Sequence, residues 1–334
     1  MTEKYASFDL AKLIGSIFII GLHASAFVEV SENLNFWFFQ VLGRIAIPTF
    51  LMVSGFLFFK KETTLANVVR FSKRILFLYA FYFVLNLPVT AYSFFLNQTG
   101  SPLSLILNFL IHLFLGSTMP GSWYLVSLLF SAWLALLFRK QNAFLKLLIP
   151  FLMYVFCCAF CLYGNCISEF GFYQFITQKL LLPYNSVIAG ALFFFLGGVA
   201  FAKKEKIQSC KTVWLALGLA ISLGLFVLEV YFARSKNWIV DTDCCLTLIP
   251  VAIFLISLLI KHKGAFDGSK MRSLSTVNYL SHGIFLYAIG FLKTILNIDI
   301  HHFLRFAFAV VMCFLTFLVL HLLSKKNKIF QYAF

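Results

Sequence analysis

The sequence predicts an all-α fold: a polytopic integral membrane helix bundle of about ten transmembrane helices, plus one re-entrant or short outer segment. Three observations predict it. First, 61% of the 334 residues are apolar and only 12% are charged, against roughly 45–50% and about 25% in soluble domains. One soluble core of this size cannot hide that much apolar side chain. Second, the apolar residues fall in runs of about 20, the length of a membrane-crossing helix; barrel strands would alternate over about ten. Third, the net charge of +15 sits in short basic runs between apolar stretches, the positive-inside pattern of a polytopic chain. The same composition excludes disorder, a coiled coil, a secreted disulfide scaffold and a nucleic-acid-binding domain.

The spans are expected near 9–30, 42–59, 75–96, 121–138, 147–163, 185–202, 212–232, 244–260, 275–292 and 303–323. The first run contains Lys12 and His23 and lacks a small-residue cleavage site, so it should remain as a helix rather than be removed as a signal. A further stretch, 103–118, is short and holds Asn108 and His112. When it does not cross, 20 of the 27 basic residues share one side. These are Lys4, the 60–74 and 139–146 groups, Lys203 to Lys211, Lys261 to Arg272 and Lys325 to Lys328. The opposite side keeps Lys179, Arg234, Lys236, Lys293 and Arg305. The rich side and both termini are therefore expected to be cytoplasmic, and 103–118 a re-entrant or buried outer segment.

Loops are short on both sides. The longest, around 164–184, holds Gly164, Asn165, Gly171, Tyr173 and Pro183 and is expected outside. The chain reads as one transmembrane domain over 1–334 with no soluble domain. Cys157, Cys158 and Cys161 lie in an apolar run and read as small buried side chains. No metal framework is visible, and a disulfide among Cys166, Cys244 and Cys245 near the outer face stays open. The 44 Phe residues face lipid or pack between helices and point to no site.

Ionisable residues inside spans are costly and mark candidate sites. Lys12 and His23 are eleven residues apart on the first span, which puts them on one helix face about 16 Å apart. Asp9, three residues before Lys12, can pair with it. Alone, Lys12 is compatible with snorkelling to the interface and His23 with an interhelical hydrogen bond; the shared face favours a common role. On the second span Arg44 falls in the outer turn, where it anchors the interface or serves a site. Pro48 should kink that helix, and Ser54-Gly55 permits close helix approach. Arg70, Lys73 and Arg74 form a basic cluster within about one helical turn. It reads either as ordinary cytoplasmic charge or as an anion site for a phosphorylated ligand. Trp123 and Tyr124 open the fourth span as interfacial aromatics or as substrate contacts, and His112 on the short outer segment is a further substrate-binding candidate. Asn278, Ser281 and His282 lie on the ninth span, where His282 reads as a packing or locally hydrogen-bonded residue.

Phe8-Asp9-Leu10-Ala11-Lys12 followed, after ten residues, by His23 resembles the opening of the acyltransferase 3 family of membrane-bound O-acyltransferases. Arg44-Ile45-Ala46-Ile47-Pro48-Thr49-Phe50 with Ser54-Gly55-Phe56-Leu57 resembles its second motif, and Arg70-Phe71-Ser72-Lys73-Arg74 its first cytoplasmic loop. Trp123-Tyr124-Leu125 and Phe194-Phe195-Leu196-Gly197 fit later blocks, so the resemblance runs nearly end to end. Two positions depart from it. Lys12 stands where many members have Arg, and Ala288 follows the last block, Ser281 to Tyr287, where many have His.

The resemblance implies transfer of an acyl group, usually acetyl, from cytoplasmic acyl-coenzyme A, with no metal. The acceptor it implies is a hydroxyl on an envelope glycan, a lipid-linked sugar or an exported small molecule. The expected setting is the bacterial cytoplasmic membrane, with membrane lipid as the surrounding partner, no nucleic acid, and oligomeric state left open. No hydrolase-like domain follows, so the group would pass directly to the acceptor or to a separate protein. Lys12, Arg70, Lys73 and Arg74 would hold the donor, His23 would be general base or acyl carrier, and Asp9 and Arg44 would complete the catalytic set. The rival reading is a proton-coupled transporter or flippase, which membrane His, Lys and Arg suit equally well.

Overall fold

The computed structural model describes residues 5–96, 100–115, 118–179 and 187–334. Lys4, Pro183 and the start of the 185–202 span lie outside the described residues. Among the described residues all regular structure is helical. The longer helices are α1 (Ala6–Ala24), α2 (Glu32–Phe58), α3 (Leu65–Leu85), α4 (Leu87–Ala91), α5 (Pro102–Leu115) and α6 (Ser122–Leu137). They continue with α7 (Ala143–Cys161), α8 (Gly190–Ala202), α9 (Thr212–Ser235), α10 (Leu248–Lys261), α11 (Ser269–Leu296) and α12 (His302–Lys326).

Each apolar stretch read from the sequence contains a helix among the described residues, but the helices differ in length and bounds from those expected. Six helices, α1, α2, α7, α9, α11 and α12, are long and apolar enough to cross a membrane. A seventh candidate is the broken pair α3 and α4, bent by 72°. Four shorter apolar helices, α5, α6, α8 and α10, complete the set. The chain is an integral membrane protein, and its outward faces agree with lipid as solvent. On α9 the exposed residues Trp214, Leu217, Ile221, Leu225, Leu228 and Phe232 recur every three or four positions, an apolar stripe that water would penalise.

The chain divides into two compact units. The first contains Ile47–Ser72 and Val126–Phe266 with the leading segment up to Phe8; the second contains Asp9–Ala46, Lys73–Leu125 and Asp267–Phe334.

In the first unit, glycine sets the closest approach. A Cβ on Gly55 would stand 1.9 Å from the Phe194 carbonyl oxygen, and one on Gly197 would stand 2.1 Å from that of Met52. The α2 and α8 backbones thus touch through reciprocal glycines, as small residues allow where lipid offers no hydrophobic drive between helices. Elsewhere in this unit the Glu229 carboxylate, within α9, accepts from Tyr163 Oη at 2.7 Å, from the backbone N–H groups of Leu246 and Thr247, and from the Thr247 hydroxyl. It thereby caps α10 with the negative charge a helix start favours. All eight cysteines are free thiols, so the disulfide left open by the sequence is not formed.

In the second unit α11 is the central element. It packs antiparallel on α12, with Leu286 beside Ala309, the Ser281 hydroxyl 3.5 Å from Cys313 Sγ, and Val277 beside Phe317. On another face it meets α1. The α3–α4 break falls at buried Asn86, whose Nδ2 donates to the carbonyls of Tyr82 and Leu280 at 2.8 and 3.3 Å. Pro88 follows at the second position of α4, where its missing N–H costs nothing.

Candidate active site

The site is built along one seam of the second unit, where α1 and α11 run parallel. At its base Asp9 accepts both hydrogen bonds of a forked Arg272, Nε to Oδ1 at 2.8 Å and Nη2 to Oδ2 at 2.9 Å. Partway along, Asn278 Nδ2 donates to Ser16 Oγ at 3.1 Å. At its head the rings of His23 and His282 stack, with centroids 5.1 Å apart and planes 28° apart. Residue numbers rise together on both helices, so the two helices start on the same side. Asp9 and His23 are fourteen residues apart, about 21 Å along the helix.

The expected pairing of Asp9 with Lys12 is replaced by the pairing with Arg272. A guanidinium matches a carboxylate bidentately and an ammonium does not. Lys12 is half-buried nearby, where the charge of Asp9 and then those of Arg272 and Arg74 act on it. The seam's base therefore gathers three cations and one carboxylate. Arg74 also donates from Nη2 to the Phe334 carbonyl oxygen at 3.2 Å. Lys73 is exposed on the same helix. Arg70, likewise exposed, belongs to the first unit.

His23 lies in the last turn of α1, not midway along a span. Ser25 adopts φ 53°, a left-handed conformation that ends the helix. The freed carbonyls of that end are satisfied from outside: Gln40 Nε2 donates to the Leu22 carbonyl at 3.4 Å and His302 Nδ1 to that of Ala24 at 2.9 Å. Arg44 Nη2 in turn donates to Gln40 Oε1 at 3.3 Å, and its charge acts on His23.

Arg44 does not lie in an outer turn. The helical run begins at Glu32, capped by the Ser31 hydroxyl, so Arg44 falls near its middle. The run passes there through a π segment, Phe36–Val41, and a 3₁₀ turn, Leu42–Ile45, irregularities that often accompany functional sites. A Cβ on Gly21 would stand 2.0 Å from the Phe39 ring, so the irregular segment rests directly on the last turns of α1.

His282 is wholly buried. Its Nδ1 lies 3.0 Å from the Asn278 carbonyl oxygen, one turn back on its own helix, which is the local hydrogen bond the sequence suggested. Its stacking on His23 was not foreseen. The signal was a His four residues after an Asn within an apolar span; the face these two share became visible only with α1 beside them. Tyr279 stands 6.4 Å from the His282 ring and 5.3 Å from that of Tyr124, so Tyr124 joins the site through Tyr279. Trp123 and His112 are not brought to the histidine pair by any described contact. The His112 ring packs on Phe94 at 5.2 Å. Arg272, read from sequence only as cytoplasmic charge, is the other residue missed.

The fold and the seam thus define a polytopic membrane protein with paired histidines at the head of an ion-lined helix face. Residues 5–325 match the acyltransferase 3 family, described as an acyltransferase domain; the chain belongs to that family. It is 24% identical over 292 residues to an "Amino-acid racemase" of Enterococcus faecalis, a match covering 83% of this chain and 38% of that protein. It is 31% identical over 121 residues to a "Probable poly-beta-1,6-N-acetyl-D-glucosamine export protein" of Staphylococcus epidermidis, covering 35% of this chain and 33% of the relative. The chain thus spans between a third and two fifths of the length of these relatives. No solved structure matches it.

Proposed function

We propose that the protein transfers an acyl group, acetyl in the simplest case, from acyl-coenzyme A to a hydroxyl of an envelope glycan, a lipid-linked sugar or an exported small molecule. The single observation that carries this reading is the α1–α11 seam. One end gathers cations suited to the donor's phosphates, and the other presents an exposed imidazole. The flexible pantetheine arm bridges a separation of this order. Lys12, Arg74 and Arg272 hold the donor phosphates, with Lys73 extending the basic surface; Arg70, one turn earlier on α3, is a further proposed donor contact. Asp9 orients Arg272 rather than touching the reacting atoms.

At the other end His23 is the general base. It accepts the acceptor hydroxyl's proton as that oxygen attacks the thioester carbonyl; the C–S bond breaks and the departing thiolate recovers the proton. Arg44 stabilises the developing oxyanion. Tyr124 contacts the acceptor, with Trp123 and His112 lining its approach from outside. In this reading the chain is a single functional domain in a bacterial cytoplasmic membrane, with ten full spans, both termini cytoplasmic and 103–118 re-entrant. The polysaccharide named for the staphylococcal relative supports a glycan acceptor.

The test is thiol release: membranes carrying the protein, given acetyl-coenzyme A and envelope glycan, should free coenzyme A. His23→Gln should lower that rate by about 10²–10⁴-fold, the usual loss on removing a general base. Undiminished turnover in that variant would refute the mechanism. The same relative's export role favours a second reading, transport of a glycan with protons passing the histidine pair. Under it acceptor moves across the membrane with no thiol released.

A further inference from the structure

The arrangement of His282 carries an inference that rests on the acyl-transfer reading and adds a residue to it. In a neutral imidazole one ring nitrogen donates and the other accepts. The Asn278 oxygen at 3.0 Å is a carbonyl and only accepts, so Nδ1 of His282 carries the proton. Nε2 is then a bare lone pair, and it is buried with no hydrogen-bond partner. The ring as a whole is 0% exposed. A side chain present only to fill space would do so as Phe without stranding a polar atom, since unsatisfied buried acceptors are rare in folded proteins. The aromatic ring stacked on His282 is that of His23, 5.1 Å away between centroids; His23 is exposed and able to meet substrate.

We propose that His282 is the positioning partner of His23: its Nε2 accepts a hydrogen bond from the His23 ring when His23 holds the acceptor's proton. The two neutral rings stack. Once His23 is protonated both its nitrogens donate, and a rotamer change about χ1 and χ2 carries its ring from the face of His282 to the edge, where one N–H meets the Nε2 lone pair. This answers an electrostatic need of the site. Arg44 on α2 sets a positive charge near His23, which opposes a second positive charge on that ring. Among the described residues the other polar groups near the pair include Tyr279 and Tyr124, Gln40, and His302 at the start of α12, whose backbone N–H donates to the Glu29 carboxylate. That carboxylate is taken up by the start of α12 rather than by either ring. The buried lone pair of His282 is the acceptor that offsets the new charge.

Protons balance without net transfer to His282. The acceptor O–H proton goes to His23, the C–O bond forms, the C–S bond breaks, and the thiolate takes the proton back. His282 touches neither substrate, so it acts through His23 alone.

The experiment compares His282→Phe, which keeps the ring and loses the lone pair, with His282→Gln, which restores an acceptor oxygen. Coenzyme A release is read against pH with acetyl-coenzyme A and envelope glycan, and thermal unfolding in detergent reports the fold. His282→Phe should lower kcat by about 10–100-fold, less than loss of the base itself, with donor KM unchanged. The acid limb of kcat/KM should move to lower pH, because a less supported imidazolium forms less readily. His282→Gln should recover most of kcat. A His282→Phe variant with wild-type kcat and pH profile would overturn the proposal. If that variant does not fold, His282→Ala with added imidazole decides: restored turnover supports the role and its absence refutes it. Failure of the broader reading looks different, since His23→Gln would then retain turnover whatever His282 does.

Discussion

The bidentate pairing of Asp9 with Arg272 is the residue-scale contact that ties the starts of α1 and α11 together. Asp9 is nearly buried and Arg272 about half-exposed, with side-chain exposures of 10% and 55%. Solvent screening on the Arg side keeps the pair's worth modest, about 1 kcal/mol. A double-mutant cycle of Asp9→Asn and Arg272→Gln, read by thermal unfolding in detergent, should return a coupling of that size. The functional effects should separate. On the proposed acyl-transfer reading, Asp9→Asn should leave the guanidinium in place but unaimed and weaken donor binding a few-fold. On the same reading Arg272→Gln should weaken it by about 1.5–3 kcal/mol, the worth of a charge-assisted bond. Equal donor affinity in wild type and Arg272→Gln would confine the pair to structure.

At the scale of elements, backbone contact and helix termini decide what changes are tolerated. Gly55→Ala and Gly197→Ala each drive a methyl into a carbonyl oxygen of the facing helix. Either should destabilise by about 1–3 kcal/mol through forced separation. Gly224, on α9, has no atom within 4 Å of its added Cβ. Its alanine variant should unfold at the same temperature or higher, as helix propensity favours Ala by up to about 1 kcal/mol. Melting curves of the three variants test the contrast directly.

The start of α12 offers a pH-dependent case. The backbone N–H of His302 donates to Glu29 Oε1 and holds the Glu29 carboxyl below its ordinary value. A depressed folded value means that the contribution is fully present above about pH 4.5, the range of a free Glu. It is lost as pH falls through the folded value. Hydrogen exchange of the 301–306 amides, after correction for intrinsic rates, should speed up as pH falls below about 4.5, where the Glu29 carboxylate that holds the His302 N–H is lost. Glu29→Gln should show the faster exchange already at pH 7.

At the scale of the molecule, the parallel course of α1 and α11 bears on topology. Their starts share one side, and Lys270 and Arg272 lie at that end of α11. A ten-span chain requires its first and ninth spans to start on one side, and this arrangement is compatible with that proposal. Single cysteines at Ser168 and Glu205, in a background without native thiols, should label from opposite sides of the membrane, Ser168 from outside. Labelling of both from one side would reject the ten-span topology.

The sequence by itself determined the helical membrane class, the approximate position of every apolar helix, the family motifs, and the shared face of Lys12 and His23. Composition and spacing along one helix are local quantities, and a lipid solvent reads them directly. It misjudged where α1 stops and where α2 starts, because a helix end depends on capping partners. Gln40 and His302 reach α1 from distant points in the chain. Only the tertiary structure decided that Asp9 serves Arg272, that Arg44 lies mid-helix beside the end of α1, and that His282 stacks on His23. Each is a contact between segments far apart in sequence, and periodicity carries no information about which faces of two helices will meet. The physical reason is packing. Small residues and matched polar pairs choose the partner face, and that choice exists only once both helices are in place.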